Sequence, residues 1–461
     1  EAELRDPKRL MKNVQQAIAI RLKTFNQQSF SQLNWDRFRF FLNGPAQHVF
    51  HLYELLSNHV THIECESTNR DGETVVLPLS PKVIQPVGFE PEEAMIPTTG
   101  RTFPGYVLLF EYFCFPEKFL FLDLTGLAAL KGLDCNDTLT LWIYLDRLAK
   151  PNLVVNAHTF CAHATPAINL FKRIAEPIRV EHRKPEYHVI PDVRRREATE
   201  VFNIDRVTAI GAEGTGKTFE FKPFYSIRHQ DGEEDGPEAR RAFWHPERRP
   251  SGMKGDDGTE VFISFTDLHF DRTDPEVETL TVHVTCTNRD LPARLPFGDP
   301  LGDFDMEMAA PITKITSLIK PTPTRRPALG GALQWHLVSH LALNHLSLVR
   351  GGEEALKEIL RLYDFDRSPA VRQQIDGIAS VRSAYVTKRI GRSFCRGVQT
   401  TIELDEDKFV GTGLFLFGSV LERFLGLYVS INSFSQMILK TSQKKEPIRT
   451  WAARNGSRIL L

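Results

Sequence analysis

The chain has 461 residues, 41% of them hydrophobic, 10% aromatic and 25% charged. That length allows about two to four domains, and that composition belongs to a globular chain able to bury a core. A formal net charge of −1 excludes a bulk electrostatic argument for nucleic acid or an anionic membrane surface.

Six scattered cysteines, Cys65, Cys114, Cys135, Cys161, Cys286 and Cys395, form no C-x-x-C pair. A reducing compartment is expected, not a disulfide framework. No N-terminal apolar run marks a secretory leader. The sequence starts at Glu1 instead of Met, and an upstream region is expected. The longest apolar run, Leu414 to Leu427, falls short of the roughly 20 residues a bilayer span needs. Glu422 and Arg423 interrupt it, so it reads as the start of a buried helix, and no membrane insertion is expected.

In chain order, the pattern predicts an α+β, β-rich, multidomain protein: two β-rich modules and a C-terminal mixed helical and β region. Residues 1–60 form a mixed part, with strands over Ala17–Leu22 and Phe38–Leu42 and a helix over His48–Ser57. Residues 61–185 form the first β-rich module. Phe119–Leu124 and Thr138–Leu145 are rich in aromatic and β-branched residues, with Gly126, Gly132 and Asn136 supplying turns. The run Phe113–Phe121 is apolar on both alternating faces, which implies a central strand or an edge covered by a partner. Phe115 and Phe119 are therefore candidate partner-facing residues.

Residues 186–320 form the second module. Its "VFISFTDL…ETLTVHV" (Val261 to Val284) echoes "FLFLDL…DTLTLWI" (Phe119 to Ile143), as two related modules or two convergent hairpins would. Residues 228–258 read as a long charged loop. Residues 321–461 begin with a stiff linker, Pro321–Pro327. Helices follow over Leu333–Val349 and Glu353–Tyr363. The second carries Glu353 and Glu354 at the positive end of its dipole and Ala355, Leu356, Ile359, Leu360 and Tyr363 on one face. Arg382–Glu403 returns to strand alternation. A last helix is expected over Val420–Lys440, where Val420, Phe424, Leu427, Ile431, Phe434 and Ile438 step by four and three. That seam is either a core stripe or a partner surface, which makes Phe424, Leu427, Ile431 and Phe434 candidate interface residues.

Three strings could carry chemistry. "GAEGTGKT", Gly211 to Thr218, satisfies the phosphate-loop pattern, with Lys217 for the phosphates and Thr218 for magnesium. A phosphate loop needs a helix after it. Phe219–Phe224 alternates with period two and contains Pro223, so a hairpin is expected and no nucleotide site. His336 and His340, with Asn344 one turn on, share a helix face but lack the Glu that a zinc protease places after the first His. His158-x-x-Cys161-x-His163 offers three ligands where a structural zinc wants four. No G-x-S-x-G elbow is present. The runs Arg194–Arg196, Arg240–Arg241 and Arg248–Arg249 read as solvated charge or contacts to an acidic partner. No catalytic, cofactor-binding or metal-binding residue is expected. The rival readings are a P-loop nucleotide hydrolase and a free-standing β-sandwich that binds a small ligand.

"GYVLLFEYFCFPEKFLFLDLTGL" (Gly105–Leu127), "TPAINLF" (Thr165–Phe171), "AEPI" (Ala175–Ile178), "CTNRDLP" (Cys286–Pro292), "LVSHLALNHLSL" (Leu337–Leu348) and "LFGSVLERFLGLYVSINSF" (Leu416–Phe434) keep their order along most of the chain. Together they resemble the TssF (VasA/ImpG) family of type VI secretion baseplate subunits. The resemblance implies a non-enzymatic structural subunit in the cytoplasm of a Gram-negative bacterium, recruited to the inner-membrane secretion complex. Its implied partners are a second TssF copy, TssG, TssK, a TssE-like subunit and the VgrG hub. It implies no catalytic residue and no cofactor.

Overall fold

The computed structural model describes residues 1–7, 12–98, 102–181, 184–210, 218–225, 243–266, 279–326, 329–330, 335, 338, 352–390, 393–431 and 433–456. The chain divides into two compact units. The first joins Glu1–Ala167 to Trp335–Leu461, and the second is Ile168–Gln334.

The first unit opens with β1 (Ala2–Arg5), β2 (Gln16–Lys23), β3 (Phe38–Leu42), α1 (Ala46–Asn58), β4 (Val60–Thr68), β5 (Thr74–Leu79) and β6 (Ile84–Pro86). It continues with α2 (Pro104–Cys114), β7 (Phe121–Leu124), β8 (Thr138–Leu145) and β9 (Phe160–Ala162). These strands build two antiparallel sheets, ordered β1-β2-β8-β4-β5 and β6-β7-β3-β9. β8 is central, and register explains its packing. Ala17 lies opposite Tyr144 and Ala19 opposite Trp142, so two small residues leave the room that two large rings fill. The other face carries buried Ile18, Ile20, Leu141 and Ile143. β7 lies between β6 and β3 and is buried on both faces. The strand expected through Phe113–Phe121 is corrected: α2 runs to Cys114, Pro116–Phe119 is a short 3-10 turn, and the strand starts only at Phe121. Pairing of β2 with β8 and of β3 with β7 places residues below 60 and above 61 in the same sheets.

The second unit contains β10 (Phe171–Ile174), β11 (Ile178–Arg179), β12 (Tyr187–Val189), β13 (Glu200–Ile210), β14 (Thr218–Phe221), β15 (Phe243–Pro250), β16 (Thr259–Thr266) and β17 (Thr279–Thr287). One sheet runs β10-β17-β13-β14, with β11 also on β17, and the other runs β12-β16-β15. Their inner faces share one core. Val207, Leu280, Val282 and Val284 come from the first sheet, and Val189, Trp244, Ile263 and Phe265 from the second. Burial alternates strictly along β16, as expected of a sandwich strand with one face turned inward. The charged stretch read as a loop over 228–258 is corrected here. Its Phe243–Pro250 portion is a strand, because Phe243 and Trp244 are buried within it.

The two echoed strings do not form hairpins. In each, the first strand (β7, β16) enters one sheet and the second (β8, β17) becomes a central strand of another.

The chain then completes the first unit with α3 (Gly352–Arg361), α4 (Pro369–Asp376), β18 (Ile378–Ile390), β19 (Ser393–Leu404), α5 (Leu414–Gly426), β20 (Phe434–Thr441), β21 (Lys444–Thr450) and β22 (Arg454–Asn455). The sheet order is β18-β19-β20-β21, and β22 pairs with β20. β19 and β20 are parallel, with α5 as the crossover between them. The helix expected over Val420–Lys440 is thus corrected: it ends at Gly426, and Phe434 and Ile438 belong to a strand. Gly426, Ser430 and Ser433 break the helix, and a buried strand supplies apolar residues at spacings that imitate a helical seam.

Candidate functional site

The phosphate-loop string is flanked by strands. Its residues 211–217 lie outside the described residues. Ile210 ends β13 and Thr218 begins β14, and they are paired across an antiparallel ladder. β14 continues to Phe221, and Pro223 bridges Trp244. A phosphate loop presents its N–H groups from the start of a helix. The segment after this string is extended instead, as its alternation predicts. His336, His340 and Asn344 also lie outside the described residues.

The His158, Cys161 and His163 cluster is held by local bonds. The His158 N–H donates to Asn156 Oδ1 at 2.9 Å, the Cys161 thiol donates to the His158 carbonyl at 3.4 Å, and the His163 ring stands edge-on to Phe38. Burial pushes the Cys161 thiol above its ordinary pKa, which opposes the thiolate a zinc ion requires. Among the described residues, no three His, Cys, Asp or Glu side chains gather as metal ligands.

Three of the six candidate partner residues lie wholly inside the first unit: Phe119, Phe424 and Phe434 are each 0% exposed. Phe119 packs on Phe89 and Tyr112, with ring centroids 5.0 and 6.1 Å apart. Phe424 stands edge-on to Tyr428. Phe434 lies so close over Gly397 that a Cβ there would be 2.4 Å from the Phe434 carbonyl oxygen. Phe115 and Leu427 are half-buried, and Ile431 is exposed. These residues do not form one surface stripe, because the helix that would have aligned them ends before Leu427.

Three arginines of the basic runs are tied internally. Arg196 pairs with Glu260 at 2.8 Å. Arg248 donates to the Thr259 hydroxyl and the Phe202 carbonyl, and Arg249 forks onto Glu186 with two 2.6 Å bonds. Arg240 and Arg241 lie outside the described residues.

Sequence reasoning missed a set of buried charges that hold elements together. Glu111 on α2 and Lys118 form an ion pair with side chains 4% and 2% exposed. The other Glu111 oxygen accepts the N–H groups of Met95 and Ile96 at 2.6 and 2.9 Å. One carboxylate therefore ties α2 to the loop before it and to the turn after it. Arg39 forks onto buried Asp123 at 2.7 and 2.9 Å, and this hydrogen-bonded contact raises the Arg39 pKa. Buried Glu422 on α5 meets Arg423 at 2.5 Å and Arg454 at 3.1 Å. In the second unit Arg326 forks onto Glu200 at 3.0 and 2.7 Å. That contact, with a bond from the Thr324 hydroxyl to the Arg289 carbonyl, fastens the proline-rich segment. Each of these charges is matched by a partner, so they position elements and do not act as a free acid or base. The readable signal was a charge set inside an apolar run: Glu111 in "VLLFEYF" and Glu422 in "SVLERFL".

Uncovered apolar surface concentrates in the second unit after β17, where Leu295, Phe297, Leu301, Phe304, Met308 and Ile312 are exposed.

Residues 1–458 match the family model described as type VI secretion system, TssF. The type VI secretion system component TssF1 of Pseudomonas aeruginosa is 33% identical over 458 residues, which covers 96% of this chain and 72% of that protein. The fold is similar to a chain in the type VI TssK-TssF-TssG baseplate subcomplex solved by cryo-electron microscopy. There the TM-score is 0.76 at 24% identity, with 100% of this chain and 82% of that chain covered. A chain in another solved type VI baseplate complex matches with a TM-score of 0.58 at 24% identity, covering 94% of this chain and 72% of that one. With its sequence matched almost from end to end, the chain belongs to the TssF family of the type VI secretion system.

Proposed function

We propose that the chain is a non-catalytic structural subunit of a type VI baseplate wedge. Two copies assemble with one TssG-type subunit, contact TssK-type and TssE-type subunits, and support sheath and tube assembly around a VgrG hub. The observation that carries this reading is the family match over residues 1–458, joined to a fold similarity that covers the whole chain. The solved relative is a subcomplex of TssK, TssF and TssG. Buried and matched charges, with a run of exposed apolar side chains after β17, fit a part built to be held in place. The place of work is the cytoplasm beside the inner-membrane secretion complex. No helix among the described residues is long and apolar enough to cross a membrane.

The test is co-expression with the TssG-type and TssK-type proteins of the same genome, with only the TssG-type protein tagged. Size exclusion with light scattering should give a stoichiometric complex holding two copies of this chain per TssG. A single copy would remove the stoichiometry, and failure to co-elute would remove the reading. ATP hydrolysis abolished by Lys217→Ala would overturn its non-catalytic part. A fluorescent fusion should form membrane-proximal foci that disperse when the TssG-type protein is deleted.

A further inference from the structure

Between Leu295 and Lys320 the chain forms no helix and no strand of a sheet. Stretches this long without regular structure are uncommon inside compact domains and are usually either functional or linkers. This one is nevertheless fastened. The Asp303 carboxylate accepts the backbone N–H groups of Gly298 at 2.9 Å, Asp299 at 3.0 Å and Ser317 at 2.6 Å. The Asp303 N–H donates to the Ile315 carbonyl at 2.8 Å, and Lys314 Nζ donates to the Pro300 carbonyl at 3.1 Å. One side chain and two cross-links thus lock arm 298–304 to arm 314–317.

The locked loop turns its apolar side chains outward. Leu301 is 90% exposed, Met308 79% and Phe304 54%. Leu301 and Phe304 stand on the locked arm and are preorganised, so less ordering entropy is lost when a partner covers them. Methionines at 306 and 308 suit a groove of irregular shape. From Asp299 to Ala310 the only charged residues are acidic. Asp303 is engaged in the lock, while Asp305 and Glu307 are exposed beside the apolar cluster. Two such loops facing each other would oppose like charges, whereas a lysine- or arginine-rimmed groove would pair them.

We infer that residues 298–318 are a docking loop, fastened at its two arms, whose Leu301, Phe304, Met306 and Met308 enter an apolar, basic-rimmed groove on a different subunit of the assembly. This rests on the proposed membership of a multi-subunit baseplate.

The test compares the full chain alone with the chain co-purified with its TssG-type and TssK-type subunits. Both are exposed to dilute hydrogen peroxide, and methionine sulfoxide is read by mass spectrometry, with buried Met437 as the internal reference. Met306 and Met308 should oxidise at least about tenfold more slowly in the complex. Leu301→Ser with Phe304→Ser should weaken co-elution by at least about tenfold while leaving the melting of the free chain unchanged. Asp305→Lys with Glu307→Lys should weaken it too. Equal oxidation in an intact complex overturns the loop assignment and leaves the baseplate reading standing. A wild-type chain that never co-elutes overturns both. Protection that already appears in a dimer of this chain alone overturns the assignment to a different subunit.

Discussion

Glu111 and Lys118 show how much one buried pair can decide. A carboxylate this enclosed is tolerable only because an ammonium and two backbone N–H groups satisfy it. Lys118→Met keeps the volume and strands the charge, so it should cost about 3–5 kcal/mol in urea unfolding. Combining it with Glu111→Gln removes the charge and keeps an acceptor for Met95 and Ile96, and most of the loss should return. A Lys118→Met protein within about 1 kcal/mol of wild type would show that the pair carries little. His51 acts through pH. Burial, then the charges of Lys150 and Arg147, lower its pKa from 6.5 to about 4. Its Nε2 already accepts the Lys150 N–H at 3.3 Å. The folded chain therefore holds His51 neutral, and unfolding takes up a proton below pH 6.5. That stability is complete above pH 6.5 and is lost as pH falls toward 4. His51→Gln should flatten the fall of melting temperature with pH across this window, and parallel curves for the two proteins would refute the assignment.

At the scale of elements, β19 and β20 form a tight passage in the first unit. Gly397 on β19 lies under Phe434 of β20. A Cβ would sit 2.4 Å from a backbone oxygen and 2.5 Å from the ring, and neither strand can retreat without breaking the parallel ladder. Gly397→Ala should therefore destabilise by about 3 kcal/mol, at the upper end of ordinary overpacking. A denaturation midpoint unchanged from wild type would mean that the ladder yields freely. Gly397 is one of 29 glycines, and nothing local in the sequence distinguishes it. Strands legible in the sequence include β2, β3, β8, β16 and β17, rich in β-branched and aromatic residues, and β18 and β19, marked by the alternation over Arg382–Glu403. Helix α2 was not, because "PGYVLLFEYFC" is apolar on nearly every side and hides its period. The last helix was overextended because a buried strand continued its spacing. For Phe119, Phe424 and Phe434 core and interface stay open in the sequence, because a sequence marks a residue as apolar but does not say whether its own chain or another covers it. The docking loop was missed for the opposite reason. Its lock is one aspartate bonded to backbone groups up to 14 residues away, and pairings of that kind leave no periodic trace.

At the scale of the molecule, the two units make opposite predictions. The second is one continuous segment with a core closed within itself, from Ala175 to Cys286. Expressed alone, Ile168–Gln334 should fold and melt in a single cooperative step. The first is discontinuous, and its halves are interleaved. Tyr53 packs on Phe415, Phe103 on Tyr428 and Tyr112 on Phe417. The Asn58 side chain donates to the Ile448 carbonyl at 2.9 Å, and Gln374 donates to the Tyr112 hydroxyl. A fragment ending at Ala167 would uncover all of these contacts at once. It should bind a dye for exposed apolar surface and show no cooperative melt, although it holds both antiparallel sheets of β1–β9. The contrast bears on assembly. The docking loop belongs to the self-sufficient unit, so its partner could be engaged without the closure of the first unit's halves. If the second unit fails to melt cooperatively by calorimetry, the whole chain is the folding unit, and loop and interleaved core must then be stabilised together.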